Sequence, residues 1–596
     1  MTLIAAFIVA LTSLVLAPGY LFYFDVTPKV VVLLFGTAIT LCAAAASGVS
    51  IPWKSRRMVV FSLLLLLYVL SLAVATAVST NPVLSLFGSS WRRFGSVIEA
   101  TACLFAWLIA VGCAGRPGRV ITILRGVTAA GSITAAYGIA QYFGWDPLPS
   151  AARYHFGAGI GATVRPPATL GHGNYLATWL LFVVFLSLAL ARMETSRIVR
   201  RLSVASALLA SFAMLLTGTR SAIAGMIAGG LVWIAIQGFP HLRRVALAAA
   251  LAILAGITLY FTPPGRPLRA RAQRFVEDPW GGDRLALWND SVRMARVRLA
   301  AGYGPEVFAA EFPHFESLQV ARGNNVSANN MFVDAFVAQG LTGMLLLAAL
   351  CAGGFLAAIR LKQPAFAAAL AAGIVSQQFL SLTVSNAMIL WVTLGLLAAL
   401  DAPSAEPRRR MLLIPGAAVV AALLLYVAVR LASADHALAL AKQRIEVGDP
   451  ARAEQEYTRY ESIRLPGAGA DVWYSQALLA EAEHFPNHLQ TQVARVARAA
   501  AVRGTENAED PSDAWYNLAV FCEIDNDRSC VEHSLRQAIA ANPMRFKPHW
   551  ALAQILPLDG RMEEARRETL RATELAAGMD PETKRALSQM HFEIPH

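Results

Sequence analysis

Apolar runs of roughly bilayer-spanning length, repeated thirteen times between residues 2 and 432, decide most of what this chain can become. They lie near 2–23, 28–47, 58–78, 94–113, 120–143, 173–191, 203–217, 220–237, 245–261, 329–359, 364–384, 387–401 and 411–432. About twenty apolar residues cross the hydrocarbon core as a helix, and backbone polar groups inside that core must be satisfied within the protein. A chain of 596 residues that is 56% hydrophobic and 15% charged, with mean hydropathy +0.49, fits no soluble class. The expectation is an all-α, polytopic membrane domain over 1–432, with twelve to thirteen spanning helices, followed by a soluble helical domain over 433–596.

The net charge of +12 is no argument for nucleic acid, because the basic residues of the membrane part cluster in short loops. Lys54, Arg56 and Arg57; Arg116 and Arg119; Arg192, Arg197, Arg200 and Arg201; Arg243 and Arg244; Arg360 and Lys362; and Arg408, Arg409 and Arg410 all fall on one side of the alternation. Lys and Arg in short loops stay cytoplasmic. That puts the amino terminus inside and the carboxy-terminal domain outside. Arg92 and Arg93 are the exception among the short loops. The first segment has no basic leader and no usual cleavage site, so it is expected to stay as a helix.

Three loops then face outward: 79–93, 144–172 and 262–328. The last carries nine arginines, no lysine and seven acids. Long loops translocate whatever their charge, so many of these arginines need be no more than a solvated surface. Arg220 is a sharper case, because TGTRSAIAG turns between two apolar runs so short that its charge sits at the outer interface. It either snorkels to water or lipid phosphate, or it holds an anionic headgroup. A guanidinium fork matches paired phosphate oxygens without a metal. Asp283 is placed to cap a helix that Arg284 opens, with Leu285, Trp288, Val292, Ala295 and Leu299 on one face. Arg165, in RPPATLGHGN, belongs to the preceding outer loop.

In order, QYFGWDPLP, RPPATLGHGNYLATWLL, LLTGTRSAIAG, GDRLALWNDS, GYGPEVF and ANNMFVDAFVAQGLTG resemble the O-antigen ligase and polymerase superfamily, in the branch with a tetratricopeptide tail. The resemblance implies a metal-independent glycosyltransferase of GT-C type with no cofactor. Its donor would be an undecaprenyl-diphosphate-linked glycan, and its acceptor a lipid, a glycan or a protein. It implies that Arg220 and Arg284, and more weakly Arg165, hold the donor diphosphate, and that Asn174 and Asn330 match polar positions of the pattern.

The family's His-Asn pair reads Asn329-Asn330 here, and an amide accepts no proton near neutral pH. Asp334, four residues after Asn330 and expected on the same helix face, is the first substitute for a base. His314, Glu316 and His172 are the others. A non-catalytic membrane-anchored scaffold is the alternative that the Asn329 substitution supports. A transporter would bury charge near the midplane, and the deep segments hold almost none. The spacing Asp525-x-Asp527 lies in an interhelical turn, where such residues are common, so no metal site is expected.

In the tail, DAWYNLA at 513 and KPHWALA at 547 superpose Leu518 on Leu552 and Ala519 on Ala553, an offset of 34 residues. That is the tetratricopeptide period, and three to four stacked helical hairpins able to dock a protein partner are expected. Cys522 and Cys530 fall across one hairpin turn, either as a disulfide or as two packed thiols. Cys42, Cys103, Cys113 and Cys351 lie in apolar runs as small hydrophobic residues.

Overall fold

The computed structural model describes residues 1–49, 52–148, 155–156, 163–237, 257–258, 260–262, 265–277, 282–320, 325–404, 413–482 and 487–576. The described chain is all-α apart from two paired two-residue strands, His155–Phe156 and Thr163–Val164. Nine of its helices are long and apolar enough to cross a membrane, and three shorter apolar ones, Thr2–Leu14, Pro364–Gln377 and Val384–Leu400, complete the bundle among the described residues. Twelve of the thirteen expected segments are therefore helical. Most of the run 245–261, and the basic groups at 243–244 and 408–410, lie outside the described residues.

Local sequence sets where these helices begin. The Ser55 and Ser196 hydroxyls accept backbone N–H groups of Met58 and Val199, and the Asn330 amide accepts those of Phe332 and Val333, which satisfies donors that a helix start leaves orphaned. Small residues set how closely the helices pack. Arg220–Gln237 lies against Pro364–Gln377, and a Cβ at Gly225 or Gly229 would come within 2.6 and 2.8 Å of the Ala372 and Ala368 carbonyl oxygens. This four-residue spacing of glycines is the close-approach pattern of membrane helices.

The helix Met331–Arg360 is broken at Gly340, whose φ of +69° is left-handed. The Leu341 N–H donates to the Leu299 carbonyl, and the Tyr303 and Gly304 N–H groups donate to the carbonyls of Val337 and Ala338. The glycines of GYGPEVF and AQGLTG are thus where two backbones meet.

The bundle has two chemically different ends. At one, Asp401 bridges Arg57 and Arg360, Arg125 pairs with Glu194, and Arg192 bonds Gln237. A Cβ at Gly112 would strike Met1, so the amino terminus lies there too. At the other end gather the outward loops and the tail. Arg93 pairs with Asp435 at 3.3 Å, the Ser90 N–H donates to Glu509, and Phe22 packs edge-on against Trp473.

Among the described residues, the tail forms four consecutive helix pairs: the end of Leu413–Glu446 with Pro450–Ile463, Asp471–Ala480 with Asn487–Asn507, Pro511–Ile524 with Arg528–Ala541, and Phe546–Ile555 with Met562–Ala576. Cys522 and Cys530 are joined as a disulfide across the third.

Helix Leu413–Glu446 continues across position 432/433, where the polar stretch SADHALALAKQRIE is rich in strong helix formers. Two expectations for the helix Arg284–Val297 need correction. The buried stripe of Arg284–Val297 is Leu287, Asp290, Ser291, Met294 and Ala295, whereas Leu285 and Leu299 are exposed. Asp290 is drawn inward because it accepts the Ser317 N–H and pairs with Arg293. Asp283 sits at the cap position but bonds Gln319 rather than the helix start.

At Gly340 an added Cβ would lie 2.6 Å from the Ala300 backbone, whereas Gly353 of the same helix has open space around it. Gly340→Ala is expected to lose on the order of 1–3 kcal/mol and to lower the thermal midpoint of the purified protein. Gly353→Ala should leave that midpoint unchanged or raise it. Equal midpoints for the two variants would contradict the kink.

Candidate functional site

A cavity of about 400 Å3 opens at the tail-bearing end of the bundle. Asp25 and Lys29 enter it from the start of helix Thr27–Ala46, Arg92 from the loop before Ser96–Cys113, and His172, Asn174 and Tyr175 from the start of Gly173–Met193. Asn329 and Thr383 come from loops in the second half of the bundle. Each comes from the end of an element, where a membrane helix leaves the apolar phase and a polar side chain meets water.

Charge around this cavity is organised by Arg92. Its guanidinium binds Glu306 through both Nε, at 2.8 Å, and Nη2, and the two side chains are 11% and 2% exposed. Glu306 adopts a left-handed φ of +66°, and its other oxygen accepts from the Ser89 N–H and hydroxyl. A bulky residue held in that region is strained, and here the strain aims the carboxylate at Arg92.

Arg92 also lines a second, smaller cavity of about 60 Å3 with Glu306, Asp334, Glu99 and Tyr68. Asp334 uses Oδ1 to accept the Ala328 N–H at 2.8 Å, while its Oδ2 is buried with no hydrogen-bond partner among the described residues. Its charge is felt by Arg92.

None of the three arginines singled out from sequence lines the larger cavity, but each is one contact or one residue removed from its wall. Arg165 donates to the Asn174 carbonyl oxygen, and the Thr219 hydroxyl donates to the same oxygen at 3.2 Å. Arg220 therefore follows directly on a residue bonded to the cavity wall. Ser221 is bonded through Ser376 to Thr178. Arg284 stands over the Phe379 ring at 5.6 Å, next to Leu380, which lines the cavity. Trp288 packs on the same ring and donates its indole N–H to Ala328, fastening the large loop to the 325–330 segment.

The remaining candidates separate. His172 is the N-cap of its helix, with Nδ1 accepting the Asn174 N–H. Asn329, at φ +52°, lines the cavity and accepts from Ser381. Asn330 and Asp334 do not share a helix face as expected, because Asn330 is extended and caps the helix while Asp334 folds back onto the preceding loop. His314 is exposed and is not among the residues lining either cavity. Glu316 lies toward Asp290 and the tail's Arg545, and burial pushes its carboxyl up to about 7, with Asp290 adding to the rise.

Lys29, Arg92 and Glu306 were not among the sequence candidates. Arg92 carried a signal, since it breaks the orientation rule among short loops. A charge that defies topology has a partner, and Glu306 is that partner. Lys29, buried at the start of an apolar run with its ammonium on the Asp25 carbonyl, was detectable only as a lone lysine in that run.

Residues 205–348, from the helix Arg197–Leu216 to the middle of Met331–Arg360, match the family model described as O-Antigen ligase. No curated protein matches the sequence. The match takes in Arg220, Arg284, Glu306 and Asp334, and leaves out Lys29, Arg92, Arg165 and the tail. This matched segment, under a quarter of the chain, is set among helices long and apolar enough to cross a bilayer, so the chain is a multi-pass membrane protein that is similar to the O-antigen ligase family over residues 205–348.

Proposed function

We propose that the larger cavity receives the diphosphate of an undecaprenyl-diphosphate-linked glycan at the periplasmic face, and that the glycan passes there to an acceptor hydroxyl or amine. The observation that carries this reading is the set of cationic groups in and next to this cavity at the tail-bearing end, of which Arg92 is already paired with Glu306. Lys29 and Arg92 line the cavity, and Arg165, Arg220 and Arg284 stand beside its walls. This end lies opposite the basic short loops. Since short-loop Lys and Arg stay cytoplasmic, the cavity and the tail face outward.

In such a transfer the bond from the anomeric carbon to the diphosphate oxygen breaks, and the electron pair leaves on the diphosphate. Fixed positive charge lowers the cost of that charge as it develops. The acceptor attacks the same carbon and loses one proton. Asp334 suits that proton, because Oδ2 is uncommitted and the side chain shares the Arg92 compartment. Asn329, where the family has histidine, is then left to orient the acceptor. The tail is tied beside the cavity through Arg93–Asp435 and Ser90–Glu509, so a protein bound to its tetratricopeptide-like hairpins would present an acceptor, or a partner enzyme, close to the reaction.

Glycan transfer in proteoliposomes, from a purified lipid-linked donor, tests the two halves separately. Arg220→Ala and Arg284→Ala are each expected to lower transfer by about 10²–10³-fold with expression retained. Wild-type rates in both variants would remove the diphosphate site from this cavity. Asp334→Asn should lower kcat by roughly 10²–10⁴-fold with little change in KM for the donor, and His314→Ala should stay near wild type. If the ranking of those two reverses, the proton goes to the large loop instead.

A further inference from the structure

At the opposite end of the bundle, far from the transfer site, an apolar groove of about 320 Å3 runs between helices Arg56–Ala77, Met331–Arg360 and Val384–Leu400. Its mouth is charged. Asp401, whose side chain is 4% exposed, holds Arg57 and Arg360 at 2.5 Å each, and both guanidiniums remain about half exposed. Arg56 lines the mouth as well. Among the described residues at this mouth, three arginines face one carboxylate, which leaves a net charge of about +2 there.

We propose that this groove is a binding site for one anionic glycerophospholipid of the inner leaflet, with its phosphate on Arg57, Arg360 and Arg56 and an acyl chain in the groove. Three features agree on that occupant. Along Met331–Arg360 the lining runs from Arg360 to Leu350, about 15 Å at the helical rise, which is half of a roughly 30 Å hydrocarbon core and so the depth of one leaflet. Val60 and Leu356 on the rim are exposed, so the groove opens sideways, where a lipid enters without leaving the membrane. Trp53, exposed just before the arginines, marks the headgroup level, where such side chains concentrate. Gly353 provides the room, since a Cβ there would meet nothing within 4 Å. Basic pockets between spanning helices on this side recognise anionic headgroups.

The test is lipid retention by native mass spectrometry on the purified full-length protein, offered phosphatidylglycerol and phosphatidylcholine of identical chains. Wild type should keep one phosphatidylglycerol, preferred on the order of tenfold over phosphatidylcholine, and excess inorganic phosphate should not displace it. The triple variant Arg57→Gln, Arg360→Gln, Asp401→Asn lowers the net charge of the mouth from about +2 to about +1 without stranding the carboxylate and removes two of the three phosphate ligands, so it should weaken the preference. Gly353→Phe fills the groove while keeping every charge, and should lose retention itself. Equal retention of both lipids by wild type would overturn the proposal, as would an unchanged preference in the triple variant or full displacement by phosphate.

Discussion

A buried arginine beside a buried carboxylate holds the tail-bearing half of this molecule in register. Taking two charges out of water costs several kcal/mol each, and only close pairing with further hydrogen bonds offsets that. Arg92 and Glu306 meet that requirement through a two-atom contact completed by the backbone and hydroxyl of Ser89. The pair joins the short 88–95 loop to the GYGPEVF segment. That segment is in turn stitched to the broken helix by the Tyr303 and Gly304 amides. Asp334 sits one turn into that helix, so its placement depends on a pair more than two hundred residues apart in sequence.

The fold was largely legible in the sequence because the bilayer leaves few solutions. Apolar length forces helix, and the short-loop arginines separate the two ends. Twelve expected segments correspond to described helices for that reason. What the sequence obscured were places where a local signal is overridden. The apolar stretch 2–23 yields a helix that stops at Leu14, because the chain then turns through Pro18-Gly19, with Gly19 at positive φ. The seam between the membrane part and the tail is hidden as well, because an apolar and a polar stretch share the one helix Leu413–Glu446.

The site was legible only in part. Arg220, Arg284 and Arg165 stood out through residue type and position, since a guanidinium at a membrane boundary is conspicuous in any sequence. That they lie near one cavity depends on intermediaries, Asn174, Thr219 and Phe379, whose meeting is tertiary. Asn330 shows the converse: a residue noticed for its place in a motif is occupied in capping a helix.

Helix Leu413–Glu446 has one further consequence. At about 1.5 Å per residue its 34 residues make a rod some ~50 Å long, with one part packed on Thr27–Ala46 and the other forming the first hairpin of the tail. No hinge interrupts it. The tail therefore stands as a mast stepped into the hull, at a fixed height and bearing over the cavity, and a pull on it would be felt as torque on the wall that carries Asp25 and Lys29.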